Sequence, residues 1–351
     1  MSQPMPLSET LRVLVLGTGS IAQRHARVIR AFWPQADCRH WSHAVPVSSG
    51  DAAELPLYTW EAVRSFAPQW GIVCTPAPTH CKLTARLLHE VGCHVLVEKP
   101  LDVEVGRVAE VQAAAASARA CVRVGYNLRH SSLTLALRQR VAQQQLGRVL
   151  AVRCEVGQDL RTWRPGKDYR ASVSARRSLG GGVLNELSHE IDLLQWMFGT
   201  PAWASAHLGH HSDLEIDVED QALLWLAFPQ DGRVTPMVAS VALDFFRQDP
   251  TRTCQVVCEQ GSFRLDFLAR RLEMRRAGQS DWSLLVETPP DSDATYAAQW
   301  RAFVATASGE VSDCCTLEEA SDVVRTIHMA RQSHETGGPR VVWGGRRGGV
   351  S

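Results

Sequence analysis

Lysine is almost missing from this chain. Lys and Arg together number 37, but lysine stands only at positions 82, 99 and 167. Arginine stays protonated and offers a rigid fork of donors, whereas an amine is a compact donor that can also give up its proton. Each lysine is therefore a candidate for a task arginine cannot do, set against the plainer reading of a surface charge. An excess of charge is missing too: 37 acidic residues cancel the 37 basic ones, which argues against nucleic acid or another polyanion as partner. No stretch approaches the roughly 18 apolar residues of a membrane span, and the start, MSQPMPLSET, has neither the basic head nor the apolar run of a secretory signal. A cytoplasmic protein with no membrane partner is expected. The ten cysteines contain no CxxC pair, their nearest spacings being Cys254 to Cys258 and the adjacent Cys314 and Cys315. That is no zinc framework, and they read as reduced thiols. Internal repeats and low-complexity segments are absent.

What is present begins with an alternation. Residues 11–16, LRVLVL, form a short apolar run that stops at Gly17, after which Ile21, Ala22, His25, Val28, Ile29 and Phe32 recur at helical spacing. Further strands are predicted at 38–41, 71–74, 93–97 and 121–124, with helices at 60–66, 79–91 and 103–118. Strand and helix in alternation specify an α/β fold with a doubly wound parallel sheet. Beyond residue 125 strands follow one another at 148–157, 203–208, 221–228, 234–245, 254–259 and 262–267, with helices at 187–198, 294–308 and 317–336. This predicts a C-terminal α+β domain on an open, mostly antiparallel sheet. The expected domains are a dinucleotide-binding Rossmann domain at 8–124, a substrate-binding and oligomerisation domain at 125–341, and a flexible tail at 342–351.

Gly17-Thr18-Gly19-Ser20-Ile21-Ala22 fits G-x-G-x-x-G/A. The first glycine makes the tight turn, the second admits the pyrophosphate to the backbone, and the small third residue lets the helix approach the sheet. The hexapeptide alone is weak evidence. Here it follows a predicted strand and opens a predicted helix, so Gly17, Gly19, Ser20, Ile21 and Ala22 are expected to hold the dinucleotide phosphates. The acid that binds the adenosine ribose in NAD enzymes belongs at the end of the second strand, about 20 residues on. The stretch Asp37-Cys38-Arg39-His40-Trp41-Ser42-His43 has its only acid at the start. Ser42, His43 and Arg39 suit a 2′-phosphate better, which favours NADP over NAD.

Glu98-Lys99-Pro100 places a lysine just past the carboxyl end of a core strand, the edge where ligands bind in such sheets. An ammonium there can hold a carbinol or carbonyl oxygen during hydride transfer. A second cluster is Gly180-Gly181-Gly182-Val183-Leu184-Asn185-Glu186-Leu187-Ser188-His189. Glu186 and His189 are three apart, which on one helix face lets a carboxylate orient an imidazole suited to passing a proton near neutrality. A structural histidine is the competing reading. Tyr126, Asn127 and Arg129 follow the last predicted strand of the first domain, and Trp163, Arg164 and Tyr169 lie in a polar aromatic loop. Both groups suit a polyol or acidic-sugar pocket, and both also read as solvated loops. His80 follows another core strand and is a candidate for cofactor or substrate contact. His210 and His211 with Asp213, Glu215 and Asp217 form a contiguous run with no coordination spacing, so no metal is expected.

Together these residues resemble the glucose-fructose oxidoreductase and inositol dehydrogenase family, Gfo/Idh/MocA, over nearly the full chain. GTGSIAQRHARVI resembles its cofactor loop, TPAPTH the loop after its fourth strand, VEKP its lysine motif, GGGVLNELSHEIDLLQWMFG its central active-site helix and ARQSHETG its closing helix. The resemblance implies an oxidoreductase acting on a sugar, cyclitol or sugar derivative through NAD or NADP, with Lys99 holding the oxygen and His189 as acid/base. It adds Thr75, Pro76, His80 and Glu98 to the expected cofactor contacts. Many members carry Asp four residues before the histidine, where this chain has Asn185, counted here with the substrate-binding residues. A branch with a carboxylate three residues before gives the tuning role to Glu186, and that branch is similar to proteins of surface-polysaccharide or nucleotide-sugar pathways. Relatives often pair through the open sheet, which implies a homodimer or homotetramer. Two other readings stay open, a non-redox glycosidase that uses NAD transiently and a dinucleotide-sensing regulator.

Overall fold

The computed structural model describes residues 11–42 and 57–344. His43 and residues 345–351, most of the expected tail, lie outside them. In chain order the elements are β1 (Arg12–Leu16), α1 (Ser20–Phe32), β2 (Asp37–Trp41), α2 (Trp60–Phe66), β3 (Trp70–Val73), α3 (His80–Glu90), β4 (His94–Val97), α4 (Val105–Ser117), β5 (Val122–Val124), α5 (Ser132–Ala142), β6 (Val149–Gly157), α6 (Val183–Glu186), α7 (His189–Phe198), β7 (Trp203–Gly209), β8 (Gln221–Phe228), β9 (Met237–Asp244), β10 (Thr251–Cys258), β11 (Gly261–Asp266), β12 (Arg271–Arg276), β13 (Ser283–Glu287), α8 (Ala294–Ala307), α9 (Leu317–Glu335) and β14 (Val341–Val342).

The first compact unit takes the described residues up to Asp102, then Gly106–Asn127 and Ser292–Leu317. Its sheet is parallel in the order β2-β1-β3-β4-β5. Fully buried strands of Val, Leu and Ile are what a sheet covered on both faces demands. The register pairs Leu16 with Trp41 and Val73, Val73 with Val97, and Val97 with Val124. All five strands thus end in one row, and the loops that carry Gly17, Thr75, Lys99 and Tyr126 leave from one edge. TPAPTH follows the third strand of this sheet rather than a fourth.

The division into units differs from the expected domains at a later segment. Helix α8, assigned by sequence to the second domain, belongs to the first unit. Trp300 and Phe303 join the core formed by Val13, Val15, Ile29, Trp70 and Ile72. The Trp300 ring meets Trp33 at 5.5 Å and Trp70 at 5.7 Å, centroid to centroid. Edge contacts of this kind add about 0.5–1.5 kcal/mol to the burial itself.

The second unit, Val103–Val105, Leu128–Asp291 and the described residues from Glu318, holds a nine-stranded sheet in the order β13-β12-β11-β10-β6-β9-β8-β7-β14. Every pairing is antiparallel except β6 with β9, where Ala151 faces Val238. One face is buried through alternate residues: Val152, Cys154 and Val156 on β6, Ala239, Val241 and Leu243 on β9, Ala222, Leu224 and Leu226 on β8. Helix α9 is fastened to β7 by side chain to backbone bonds, with Ser333 Oγ accepting from Ala206 N (3.0 Å) and His334 Nδ1 from Leu208 N (3.3 Å). Helix α5 and strands β12, β13 and β14 add to the elements expected from sequence. Val342 pairs with Trp203, and Trp343 N donates to Ala202 O (2.8 Å), so the first residues of the expected tail extend the sheet.

Candidate active site

In the first unit the glycine turn is built as the pattern requires. Gly17 has φ +116°, and a Cβ there would sit 2.9 Å from the Cys74 carbonyl oxygen. Its N–H donates to Trp41 O at 2.9 Å, and its carbonyl lies 2.9 Å from His40 Nδ1. A Cβ on Gly19 would meet nothing within 4 Å, so the space in front of the start of α1 is open. Ala22 is fully buried, as close helix-to-sheet approach needs. The first turn of any α-helix offers N–H groups without intrahelical acceptors, and Ser20 and Ile21 begin this one. The cradle fits a dinucleotide pyrophosphate. At β2, Asp37 is the first residue of the strand and is held by Arg39 (2.9 Å). Arg39 also lies over the Phe66 ring at 4.8 Å, so its guanidinium already has two partners. Ser42 N donates to Leu57 O, and its side chain is half-buried.

Thr75 and His80 prove to be links within this edge. Thr79 Oγ1 donates to Pro76 O at 2.7 Å, so the 2.7 Å contact between the two threonine hydroxyls has Thr75 as donor. His80 is buried, with Nδ1 2.8 Å from Pro100 O and Nε2 2.6 Å from Thr75 O. Burial pushes its pKa down, against the pull of the two carbonyls. Each ring nitrogen faces a backbone carbonyl and the neutral ring donates its one N–H to either, which ties His80 into the backbone between the loop after β3 and the loop after β4.

Glu98 is likewise occupied. Its Oε1 is 2.7 Å from the Nε2 of His25, and its Oε2 accepts from Lys99 N at 3.2 Å. Burial alone would raise its pKa, but the His25 contact and the nearby Lys99 charge outweigh that and hold it below the usual carboxylate range. Sequence reasoning placed His25 only on the apolar face of α1. Its partner was visible only once the strand ends were in register. Lys99 is half-buried. Tyr126 is fully buried, and Asn127 Nδ2 donates to Thr295 Oγ1 (2.7 Å), so both belong to the interior of this unit.

In the second unit the three-glycine turn is a close approach. A Cβ on Gly181 would collide with Val173 and Ser174 carbonyls, and one on Gly182, at φ +104°, with the Glu219 carboxylate. The helix expected at 187–198 starts two residues later and does not include Glu186: α6 ends at Glu186, Leu187 has φ −102° and ψ 28°, and α7 starts at His189. Glu186 and His189 therefore stand on different helices, and the face-sharing argument for the pair does not hold. The cause is tertiary: α6 is pinned by the glycine turn against Val173, Ser174 and Glu219, whereas α7 is pinned by ion pairs to residues distant in the chain. Asp192 receives Arg129 (2.6 Å), which also reaches Glu319 (3.0 Å). Glu190 receives Arg252 (2.8 Å). Arg129, offered by sequence as a substrate contact, is 1% exposed and structural. Asn185 is buried too: its Nδ2 donates to Gly180 O (3.0 Å) and Gly181 O (3.2 Å), and its Oδ1 accepts from Arg331 (3.1 Å). Glu186 and His189 are half-buried.

Elsewhere in this unit Trp163 Nε1 donates to Gln158 O (3.1 Å) and its ring meets Phe245 edge-on at 5.1 Å. Tyr169 Oη accepts from Glu215 N. Arg164 is exposed. Asp220, fully buried, accepts from His211 N, Ser212 N and Ser212 Oγ, which explains the histidine run as a turn around one acid. Among the described residues no group of three His, Cys, Asp or Glu side chains could hold a metal ion. No helix among them is long and apolar enough to cross a membrane.

A parallel sheet whose first turn is an open glycine cradle at a helix start defines a dinucleotide-binding unit, here joined in one chain to an antiparallel-sheet unit. The chain belongs to the Gfo/Idh/MocA family of oxidoreductases: residues 11–126 match its NAD-binding Rossmann fold and residues 134–264 its C-terminal domain. It is 24% identical over 322 residues to inositol 2-dehydrogenase 2 of Paenarthrobacter aurescens, a match covering 85% of this chain and 88% of that one. With inositol 2-dehydrogenase of Rhizobium meliloti the identity is 27%, over only 54% of this chain and 56% of the relative. Among solved structures it shares the fold of GenD2 from gentamicin A biosynthesis, in complex with NAD, at a TM-score of 0.77 and 22% identity, covering 98% and 99% of the two chains.

Proposed function

We propose that this protein is a dehydrogenase or reductase that moves a hydride between a nicotinamide cofactor and a hydroxyl-bearing carbon of a sugar, cyclitol or sugar derivative. The observation that carries the reading is the single row of strand ends, which brings the Gly17–Gly19 cradle and Lys99 to one edge. The curated relatives are inositol dehydrogenases, which supports a polyhydroxylated substrate. The bound nicotinamide supplies the redox chemistry. Lys99 holds the substrate oxygen and stabilises charge on it, and His189 takes or returns the hydroxyl proton. Glu186 is the carboxylate we assign to tuning His189, across the break at Leu187 rather than along one helix.

The finer choice of cofactor is NADP. In its favour is the lack of a carboxylate at the end of β2, Asp37 lying at the strand's start with Arg39 as its partner. The ten thiols, free in the structure, suit the reducing cytoplasm, and the protein assembles as a dimer or tetramer, which light scattering would measure. The deciding experiment is calorimetric titration of the purified protein with NAD and with NADP. A polyol and sugar-acid panel with the preferred cofactor follows, read as net NAD(P)H formed. Tighter binding of NADP and stoichiometric reduced cofactor support the proposal. Equal or tighter binding of NAD removes the NADP assignment, and turnover without net reduced cofactor removes the dehydrogenase.

A further inference from the structure

The loop of residues 158–177 carries six cations, Arg161, Arg164, Lys167, Arg170, Arg176 and Arg177, against two acids, Asp159 and Asp168. Both acids are taken. Asp159 receives Arg161 at 2.8 Å, and Asp168 receives Arg170 at 2.9 Å, which holds the Asp168 carboxyl below its usual range. Arg164 and Lys167 form no ion pair among the described residues. They stand on a cleft of about 450 Å³ that lies wholly within the second unit, a volume within the roughly 300–1,000 Å³ of small-molecule sites.

Three further features mark the cleft as built for a ligand. Two aromatic side chains line it, Trp163 and Tyr169. Each is fixed from behind, Trp163 by Phe245 and by its bond to Gln158 O, Tyr169 by the Glu215 amide. Ser172 and Ser174 line it as well, and both hydroxyls are buried without a hydrogen-bond partner among the described residues, Ser174 being 1% exposed. Buried hydroxyls left unpaired are costly and call for a partner that binding supplies. Lys167 is also one of only three lysines in the chain.

We infer that this cleft selects a substrate carrying an anionic group, a sugar carboxylate or a sugar phosphate. The anion lies between Arg164 and Lys167, the apolar face of the sugar ring stacks on Trp163 or Tyr169, and sugar hydroxyls pair with Ser172 and Ser174. The inference rests on the dehydrogenase reading above and narrows its substrate class. A fixed carboxylate or phosphate gains charge-assisted bonds from the two cations. A neutral polyol gains only the stacking and hydroxyl contacts.

The test uses the full chain with its preferred cofactor bound and three probes, D-glucose, D-glucuronate and glucose 1-phosphate, measured by calorimetry. The expected result is binding of one anion about tenfold or more tighter than glucose, a preference that weakens with salt. Which anion wins separates carboxylate from phosphate. In the double variant Arg164→Ala/Lys167→Ala the preference falls to within about twofold, while cofactor affinity and Tm stay unchanged because neither side chain forms an ion pair or side-chain hydrogen bond among the described residues. Glucose binding as well as both anions, or a preference that survives the double variant, overturns the inference while leaving the dehydrogenase reading standing. Failure of the wild-type chain to bind either dinucleotide overturns that reading first.

Discussion

The polar groups of the two units are used in opposite ways. At the ligand edge of the first, His80, Glu98 and His25 are buried and spent on one another and on backbone, so the turn around the cofactor cradle is fixed before anything binds. In the cleft of the second, the hydroxyls of Ser172 and Ser174 are buried without hydrogen-bond partners, and Arg164 and Lys167 stand without counter-charges, among the described residues. The contrast suggests a division of labour: a cofactor common to many enzymes is met by a preorganised frame, whereas the selective ligand is met by groups that keep their bonding capacity for it.

The strongest test of the frame is Trp300→Ala. Removing a fully buried indole from the first unit's core should cost about 3–5 kcal/mol, read as a lower urea midpoint. A loss below about 1 kcal/mol would show that α8 only rests on that core. Next, His189→Ala should lower kcat by about 100-fold or more, in line with general acid/base contributions, with cofactor affinity unchanged. An unaltered kcat on the true substrate removes the histidine from the chemistry. Third, Glu98→Gln should destabilise by about 1–3 kcal/mol at neutral pH, as expected for a buried charge-assisted bond. Because the folded state lowers the pKa of Glu98, its contribution is complete above the unfolded value of about 4.3 and fades as pH falls through the folded one. The wild type should thus lose more stability than the variant on acidification below about pH 4.3. Parallel acid limbs would break the comparison. The smallest effect belongs to Arg164→Ala, which should leave thermal stability within about 0.5 kcal/mol. A larger loss would mean the cleft is as spent as the frame.

Much of the first unit was legible because a buried parallel strand has one signature, a short run of Val, Leu and Ile closed by a glycine or a polar loop. Leu16 to Gly17 and Val97 to Lys99 are read off directly. Helix α8 shows its amphipathic spacing equally well, yet spacing does not say which core will receive Trp300. Strands β12 and β13 were missed for another reason. They lie at the sheet's edge, where Leu272 is the only fully buried side chain and the charges of Arg271, Glu273 and Arg275 hide the alternation. Helix α5 offers mainly Leu133, Thr134 and Leu137 to the interior, too thin a stripe among polar neighbours. In the candidate site, Lys99 and the cradle were placed by pattern. The break at Leu187 was not, because it is set by the glycine turn on one side and the ion pairs of Asp192 and Glu190 on the other, both of them long-range.

The return of Ser292–Leu317 to the first unit sets an order of events during synthesis. When Asn127 has been added, the sheet of that unit is complete in sequence but Trp33 and Trp70 still lack the rings of Trp300 and Phe303. At about 5–20 residues per second, the ribosome needs about 10 to 40 s more to reach Leu317. For that interval the aromatic rings of the first unit's core lack their late-arriving cover, while the segment forming the second unit emerges.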